Sequence, residues 1–147
     1  MVRAMASVLD AAQYILERRG GMTTMKLQKL VYYSQVWSIV WDDNVLFPEP
    51  IEAWKNGPVV RVLWEATRGQ FRTDRVPGGD SANLVQGQRD TVDIVLKFYG
   101  DKDAQWLSDL THMEDPWAEA HALGQNTPIS LERISEYYSS LSPNESA

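Results

Sequence analysis

Cysteine is absent from the 147 residues, which excludes disulfides, thiolate-bound zinc, iron–sulfur clusters and thiol nucleophiles, and suits a reducing compartment such as the cytoplasm. Histidine is nearly as scarce, with His112 and His121 the only two. Positive charge is short as well: 14 Lys and Arg stand against 20 Asp and Glu, for a formal net charge of -6. Nucleic-acid binders draw affinity from Lys and Arg that displace counterions, so no direct DNA binding is expected. No apolar run approaches the roughly 20 residues that cross a bilayer, and Asp10 and Gln13 interrupt any signal-peptide core in MVRAMASVLDAAQ. The motifs G-x-G-x-x-G, G-x-S-x-G, HExxH and a phosphate-loop Gly-Lys-Ser/Thr are all missing. Nucleotide binding, serine-triad and zinc-protease chemistry therefore have no motif behind them, and neither a catalytic site nor a cofactor or metal is expected.

What is present fits one domain of ordinary size. The residues predict a mainly α fold of about six or seven helices over 1–141, with a frayed tail over 142–147. Ser7 offers an N-cap hydroxyl and Asp10 a first-turn carboxylate, and Val8, Ala11, Ala12, Ile15 and Leu16 recur at helical spacing until Gly20-Gly21. Thr23 or Thr24 caps a second helix to about Trp41. Its stripe of Leu27, Leu30, Val31, Trp37 and Trp41, widened by Tyr33, Val36 and Val40, marks it as central and largely buried. Lys26 and Lys29, with Arg18-Arg19, read as a solvated basic face.

Between 42 and 60 the period fails at Asp42-Asp43-Asn44, Pro48, Pro50 and Asn56-Gly57-Pro58. At most a small β-hairpin is expected near residues 45–54, built from Val45 to Phe47 and Ile51 to Trp54. Val59 to Thr67 returns to helical spacing with Val59, Val62, Leu63 and Ala66 on one side. Residues 70–86 hold Pro77-Gly78-Gly79-Asp80-Ser81 and read as the longest loop, with a mobile tip. Asp90 or Thr91, Asp103, Asp115-Pro116 and Ser130 open four further helices. Gly100 and Gly124 close two of them.

Two features invite a functional reading. His112 and His121 sit among Asp109, Glu114, Asp115 and Glu119, residue types that ligate metals or move protons. Their nine-residue spacing and the Asp115-Pro116 break favour a helix-to-helix corner instead. Of the six tryptophans, most are expected in the core. Trp54, on irregular backbone before Lys55-Asn56-Gly57-Pro58, is the candidate for contact with a partner, and Trp117 comes second.

Four segments, in order, carry a resemblance: MKLQKLVYYSQVW (Met25 to Trp37), EAWKNGPVV (Glu52 to Val60), LTHMEDPW (Leu110 to Trp117) and ISLERISEYY (Ile129 to Tyr138). As a set, across nearly the whole chain, they resemble the Panacea domain of the SocA/GepA-type antitoxins, often carried by phages, prophages and mobile elements. The resemblance implies an antitoxin of a type II toxin–antitoxin system that neutralises a cognate protein toxin by direct binding. One member of the family delivers its toxin to the ClpXP protease, so a proteolytic adaptor is the alternative. A metal-dependent enzyme at His112 and His121 is a more distant one. Lys26, Leu27, Lys29, Leu30 and Tyr33 match the first motif and read mostly as structural. Trp54, Gly57, Pro58 and Val59 match the second, and Thr111, His112, Pro116 and Trp117 the third. The expected partner-binding residues are Trp54, Lys55, Asn56, Gly57, Pro58, Val59, His112 and Trp117. The second and third motifs are expected to lie together, with His112 hydrogen-bonded into the loop. The competing reading is that both only hold the fold.

Overall fold

The computed structural model describes residues 5–143. Residues 1–4 of the leader reading and 144–147 of the expected tail lie outside the described residues, and Pro143, within them, is buried. Seven α-helices occur among the described residues. The first, α1 (Val8–Arg19), starts at Ser7, whose hydroxyl accepts from the Asp10 amide while the Asp10 carboxylate accepts from the Ser7 amide. Such a reciprocal cap stabilises the first turn by about 1 kcal/mol. Gly20, at φ 82°, ends the helix. After a two-residue strand β1 (Met22–Thr23), Thr23 caps α2 (Thr24–Asp42). This 19-residue helix is the axis of the molecule, with α1, α4 (Gln86–Tyr99), α5 (Ala104–His112) and α7 (Leu131–Tyr138) packed around it. Every residue from Leu27 to Ser38 is buried.

Burial of that length forces α2's polar side chains to find partners inside, and they find them on irregular backbone. Gln35 donates to the Phe47 carbonyl at 2.7 Å and accepts from the Leu46 amide at 2.6 Å. Gln28 repeats the pattern one segment later, donating to the Val60 carbonyl and accepting from the Val60 amide. Ser38 donates to the Asn44 carbonyl. Buried peptide groups need partners. The Asn44 and Phe47 carbonyls and the Leu46 amide get theirs from this helix, and the Val45 amide donates to the Asn44 side chain, so Val45 to Phe47 form no strand.

The hairpin therefore lies later than expected. Strand β2 (Glu52–Trp54) pairs antiparallel with β3 (Gly57–Val59), with Ala53 opposite Pro58, and β5 (Thr127–Pro128) adds to the other edge of β2. Lys55 and Asn56 form the turn. Because Val59 belongs to a strand, α3 is shorter than its apolar pattern suggested, Arg61–Ala66, and buries only Leu63 while Val62 is exposed. Helix α4 begins at Gln86, ahead of Asp90 and Thr91, because the Gln88 side chain accepts from the Val85 amide. Thr91 instead donates to Asp42 at 2.7 Å. The 70–86 stretch is tied down at several points. Strand β4 (Arg72–Thr73) pairs with β1, Val76 and Leu84 are buried, and the Asp80 amide donates to Asp10. A Cβ on Gly79 would stand 2.3 Å from the Leu9 carbonyl oxygen, so only glycine lets the loop lie this close to α1.

Helix α6 (Asp115–Leu123) carries Pro at its start and Gly124 after its end, as Pro-first, Gly-last chemistry dictates. The Glu114 carboxylate before it is buried and accepts from the phenols of Tyr33 at 2.5 Å and Tyr138 at 2.8 Å. Tyr138 also contacts the Tyr32 hydroxyl, Tyr33 stacks on Tyr99 at 4.3 Å, and Trp37 donates to the Tyr99 hydroxyl. Burial is the largest cause pushing the Tyr32, Tyr33 and Tyr138 phenols well above their ordinary range. These aromatics, each contributing about 2–3 kcal/mol by burial, join α2, α4, the α5–α6 corner and α7 in one core.

Candidate functional site

The hairpin is fixed from behind by the α5–α6 corner. The Trp117 indole donates to the Trp54 carbonyl at 2.8 Å, and the Ser108 hydroxyl donates to the Asn56 carbonyl at 2.6 Å. The second and third motifs are thus in direct contact. The His112 ring, between them, has a hydrogen bond to the Lys55 backbone, while its Nε2 is buried without a partner. Burial lowers its pKa, ahead of a weaker raising effect from Asp109. A neutral ring leaves a lone pair at Nε2, whereas protonation would bury an unpaired N–H there.

His112 and His121 do not converge. Trp117 lies between them, stacked at 4.1 Å on one imidazole and 4.5 Å on the other. Among the described residues no group of three or more His, Asp or Glu side chains is placed to hold a metal ion.

The front of the hairpin forms one wall of a pocket of about 280 Å³, lined by Met25, Gln28 and Lys29 of α2, Trp54 to Asn56 and Val59 of the hairpin, and Trp64 of α3, with Thr24 and Thr67 at its edges. Trp54 and Trp64 meet edge to face at 5.5 Å. The Trp54 indole donates to Glu52, which is ion-paired to Arg61 at 2.9 Å. Arg61 covers Trp54 at 5.3 Å and Arg68 covers Trp64 at 5.2 Å. These contacts fix the aromatic wall in place without burying it.

Lys29 is the least expected member. Only 1% of it is exposed, so the solvated face read for it is wrong. Its ammonium reaches the Pro58 carbonyl at 3.3 Å, and among the described residues it forms no ion pair. Burial lowers its pKa from 10.5 to about 8. Gly57 makes room for it: at φ +122°, a Cβ there would lie 2.4 Å from Lys29 Cε and 3.0 Å from Thr111 Oγ1.

Of the eight residues singled out from the sequence, Lys55 and Asn56 are exposed, Trp54 and His112 are half-buried, and Gly57, Pro58, Val59 and Trp117 are buried. Trp117, 8% exposed with its N–H engaged by Trp54, is a brace behind the surface. Trp64 and Trp41, expected in the core, are 36% and 39% exposed. The sequence reading missed Trp64, Met25 and Lys29 as pocket residues. The available signal was Trp64's place in a helix confined between Pro58 and the Arg68-Gly69 stop, too short to bury much more than Leu63.

A family model described as antitoxin SocA-like, Panacea domain, matches residues 27–118. The chain belongs to that family. The matched span of the Panacea domain runs from α2 into α6, so the hairpin, most of the pocket lining and the α5–α6 corner fall within it, while α1 and α7 lie outside. Comparison with curated proteins and with solved structures gives no match. Among the described residues no helix is long and apolar enough to cross a membrane.

Proposed function

We propose that this chain is the antitoxin of a type II toxin–antitoxin pair and that it neutralises a cognate protein toxin by direct binding through the hairpin face. Membership of the SocA-like family supports the role. The observation that carries the choice of face is the pair Trp54 and Trp64, half-open to solvent yet held by a carboxylate and two guanidinium groups. Aromatic and Arg side chains dominate binding hot spots, and a surface already rigid before contact loses little conformational entropy on association. The bracing of the hairpin by Trp117, Ser108 and Lys29 serves that rigidity. Neutralisation then needs no catalytic group and takes place where the proteins are made, in the cytoplasm.

Co-expression with the protein encoded beside this one is the test. The neighbour should arrest growth alone and be tolerated with this chain present, and Trp64→Ala should weaken the complex by about 2 kcal/mol, the usual size of a hot-spot loss. A neighbour that is harmless alone, or lethal in both cases, rejects the antitoxin role. Unchanged affinity in Trp64→Ala rejects the face.

A further inference from the structure

Asn56 is the one asparagine of five that is followed by glycine, and it stands exposed at the turn of the hairpin. Asparagine is among the chemically labile residues, and its weak point is the next peptide nitrogen. Once deprotonated, that nitrogen can attack the side-chain carbonyl carbon, and glycine, lacking Cβ, leaves the approach open. The surroundings of Asn56 favour this reaction. Among the described residues its side chain is held by nothing, because its hydrogen bond outside the ladder is made by the backbone carbonyl, which accepts from Ser108 Oγ at 2.6 Å. That carbonyl and the Gly57 N–H belong to one peptide group, so a donor on the oxygen draws charge from the nitrogen and favours its anion. Lys29 lies against the same group, its Nζ 3.3 Å from the place a Gly57 Cβ would take, and a nearby cation also favours negative charge there. Gly57 forms the last rung of the β2–β3 ladder, opposite Trp54, and end rungs open most readily.

We propose that the Asn56-Gly57 peptide is a site of self-modification, which converts Asn56 to aspartate and isoaspartate. Hydroxide takes the Gly57 amide proton and becomes water. The nitrogen forms a bond to Asn56 Cγ, the Cγ–Nδ2 bond breaks, and the amide nitrogen leaves as ammonia with a proton from water, closing a succinimide ring. Water then adds to one of the two ring carbonyls. Opening at Cγ gives aspartate, whereas opening at the backbone carbonyl gives isoaspartate, in which the chain runs through Cβ and Cγ and is longer by one carbon. An amide and a water become a carboxylate and ammonia, and nothing is oxidised or reduced. Either product sets a negative charge beside Lys55. Isoaspartate also takes the carbonyl held by Ser108 out of the main chain and moves Gly57 relative to Trp54, since the turn of Lys55 and Asn56 has no slack for an extra atom. Trp54 then loses its fixed position. The modification stands independently of any partner; its effect on neutralisation rests on the antitoxin reading, under which the binding face carries a slow timer.

Incubation of the chain at pH 7 over days, followed by digestion and peptide mass spectrometry, tests the chemistry with no partner present. Conversion should appear at Asn56 ahead of Asn44, Asn83, Asn126 and Asn144, as an amide exchanged for an acid, with isoaspartate identified by isoaspartyl methyltransferase labelling. Ser108→Ala and Lys29→Met should each slow it about fivefold, the effect of losing one interaction of hydrogen-bond strength, and the spectrum of each variant reports whether it is folded. In the parent the indole N–H resonances of Trp54 and Trp117 should shift in step with conversion, whereas in Asn56→Ser aged alongside they should stay fixed. An unconverted Asn56, or conversion as fast in both variants as in the parent, overturns the site. Converted protein with unmoved indole resonances overturns the effect on the face. Against the protein encoded beside this one, the aged parent should bind more weakly than its own fresh sample by about tenfold, the loss of one hot-spot contact, and Asn56→Ser should bind the same before and after ageing. Equal binding by fresh and aged parent overturns the timer, and a neighbour that fresh parent fails to bind rejects the antitoxin reading and leaves the modification standing.

Discussion

Replacing Lys29 by Met isolates what a buried cation costs this fold. Its pKa is about 8 in the folded chain against 10.5 in the free side chain, a difference equivalent to about 3 kcal/mol of penalty at pH 7. Met keeps the length and apolar stem and removes the cation. Against that gain stands the Pro58 carbonyl, left without a partner at a cost of about 1–2 kcal/mol. The net expectation is a variant about 1–2 kcal/mol more stable than the parent at pH 7. Because folding lowers this pKa, the unfolded chain holds the proton more tightly between about 8 and 10.5, so the parent gains stability as pH rises through that window. At pH 10 the remaining penalty is about 1 kcal/mol, and the advantage of Lys29→Met should vanish or reverse. Urea unfolding of both proteins at pH 7 and pH 10 gives the comparison directly, since all other titrating groups are shared. A variant destabilised by more than about 1 kcal/mol at pH 7, or a difference that is the same at both pH values, refutes the reasoning.

Gly57→Ala places a side chain on a left-handed backbone against Lys29 and Thr111, and should cost about 2–3 kcal/mol by urea unfolding; a change under about 0.5 kcal/mol would contradict the packing described. Glu114→Ala strips the Tyr33 and Tyr138 phenols of their shared acceptor, with an expected loss of about 2–4 kcal/mol and a weakened near-ultraviolet circular dichroism signal from the tyrosine cluster. His112 has a pKa below its ordinary 6.5 in the folded chain, so the unfolded chain takes up the proton first and stability should fall as pH drops below about 6.5. His112→Phe, which preserves the stack on Trp117, should flatten that part of the pH–stability curve, and an unchanged curve would show that another group is responsible.

The helices were legible wherever their ends carry local chemistry. Ser7, Thr23, Asp103 and Ser130 cap as their types suggest, and Gly20, Gly100 and Gly124 stop the chain where expected. Capping is a matter of a few neighbouring residues, and sequence holds all of them. The start of α4 was misplaced because Val85 has no capping side chain and Gln88 does the work from inside the helix. The hairpin was displaced for a different reason. Extended pieces near 45–47 and 51–54 look alike in sequence, and what separates them is Gln35, reaching across 11 residues to claim Leu46. The candidate site divides the same way. Contact between the second and third motifs could be anticipated from the family resemblance, whereas the pocket could not. Helical period shows which way Lys29 points, and only the placement of the hairpin over it decides whether it meets water or the Pro58 carbonyl.

The two glutamines of α2 also bear on the order in which the molecule comes together. Strands of three residues joined by a two-residue turn do not persist alone in water, and here the amide and carbonyl at the far end of the hairpin close on Gln28. The dependence runs one way: α2 is held by bonds local to its own stretch of chain, whereas the hairpin takes its closing bonds from α2. A chain emerging from the ribosome offers no hairpin face until α2 is complete and the α5–α6 corner, some fifty residues later in sequence, has arrived to brace Trp54 and Asn56. The face is therefore a certificate of completed folding, present only once segments distant in sequence have met.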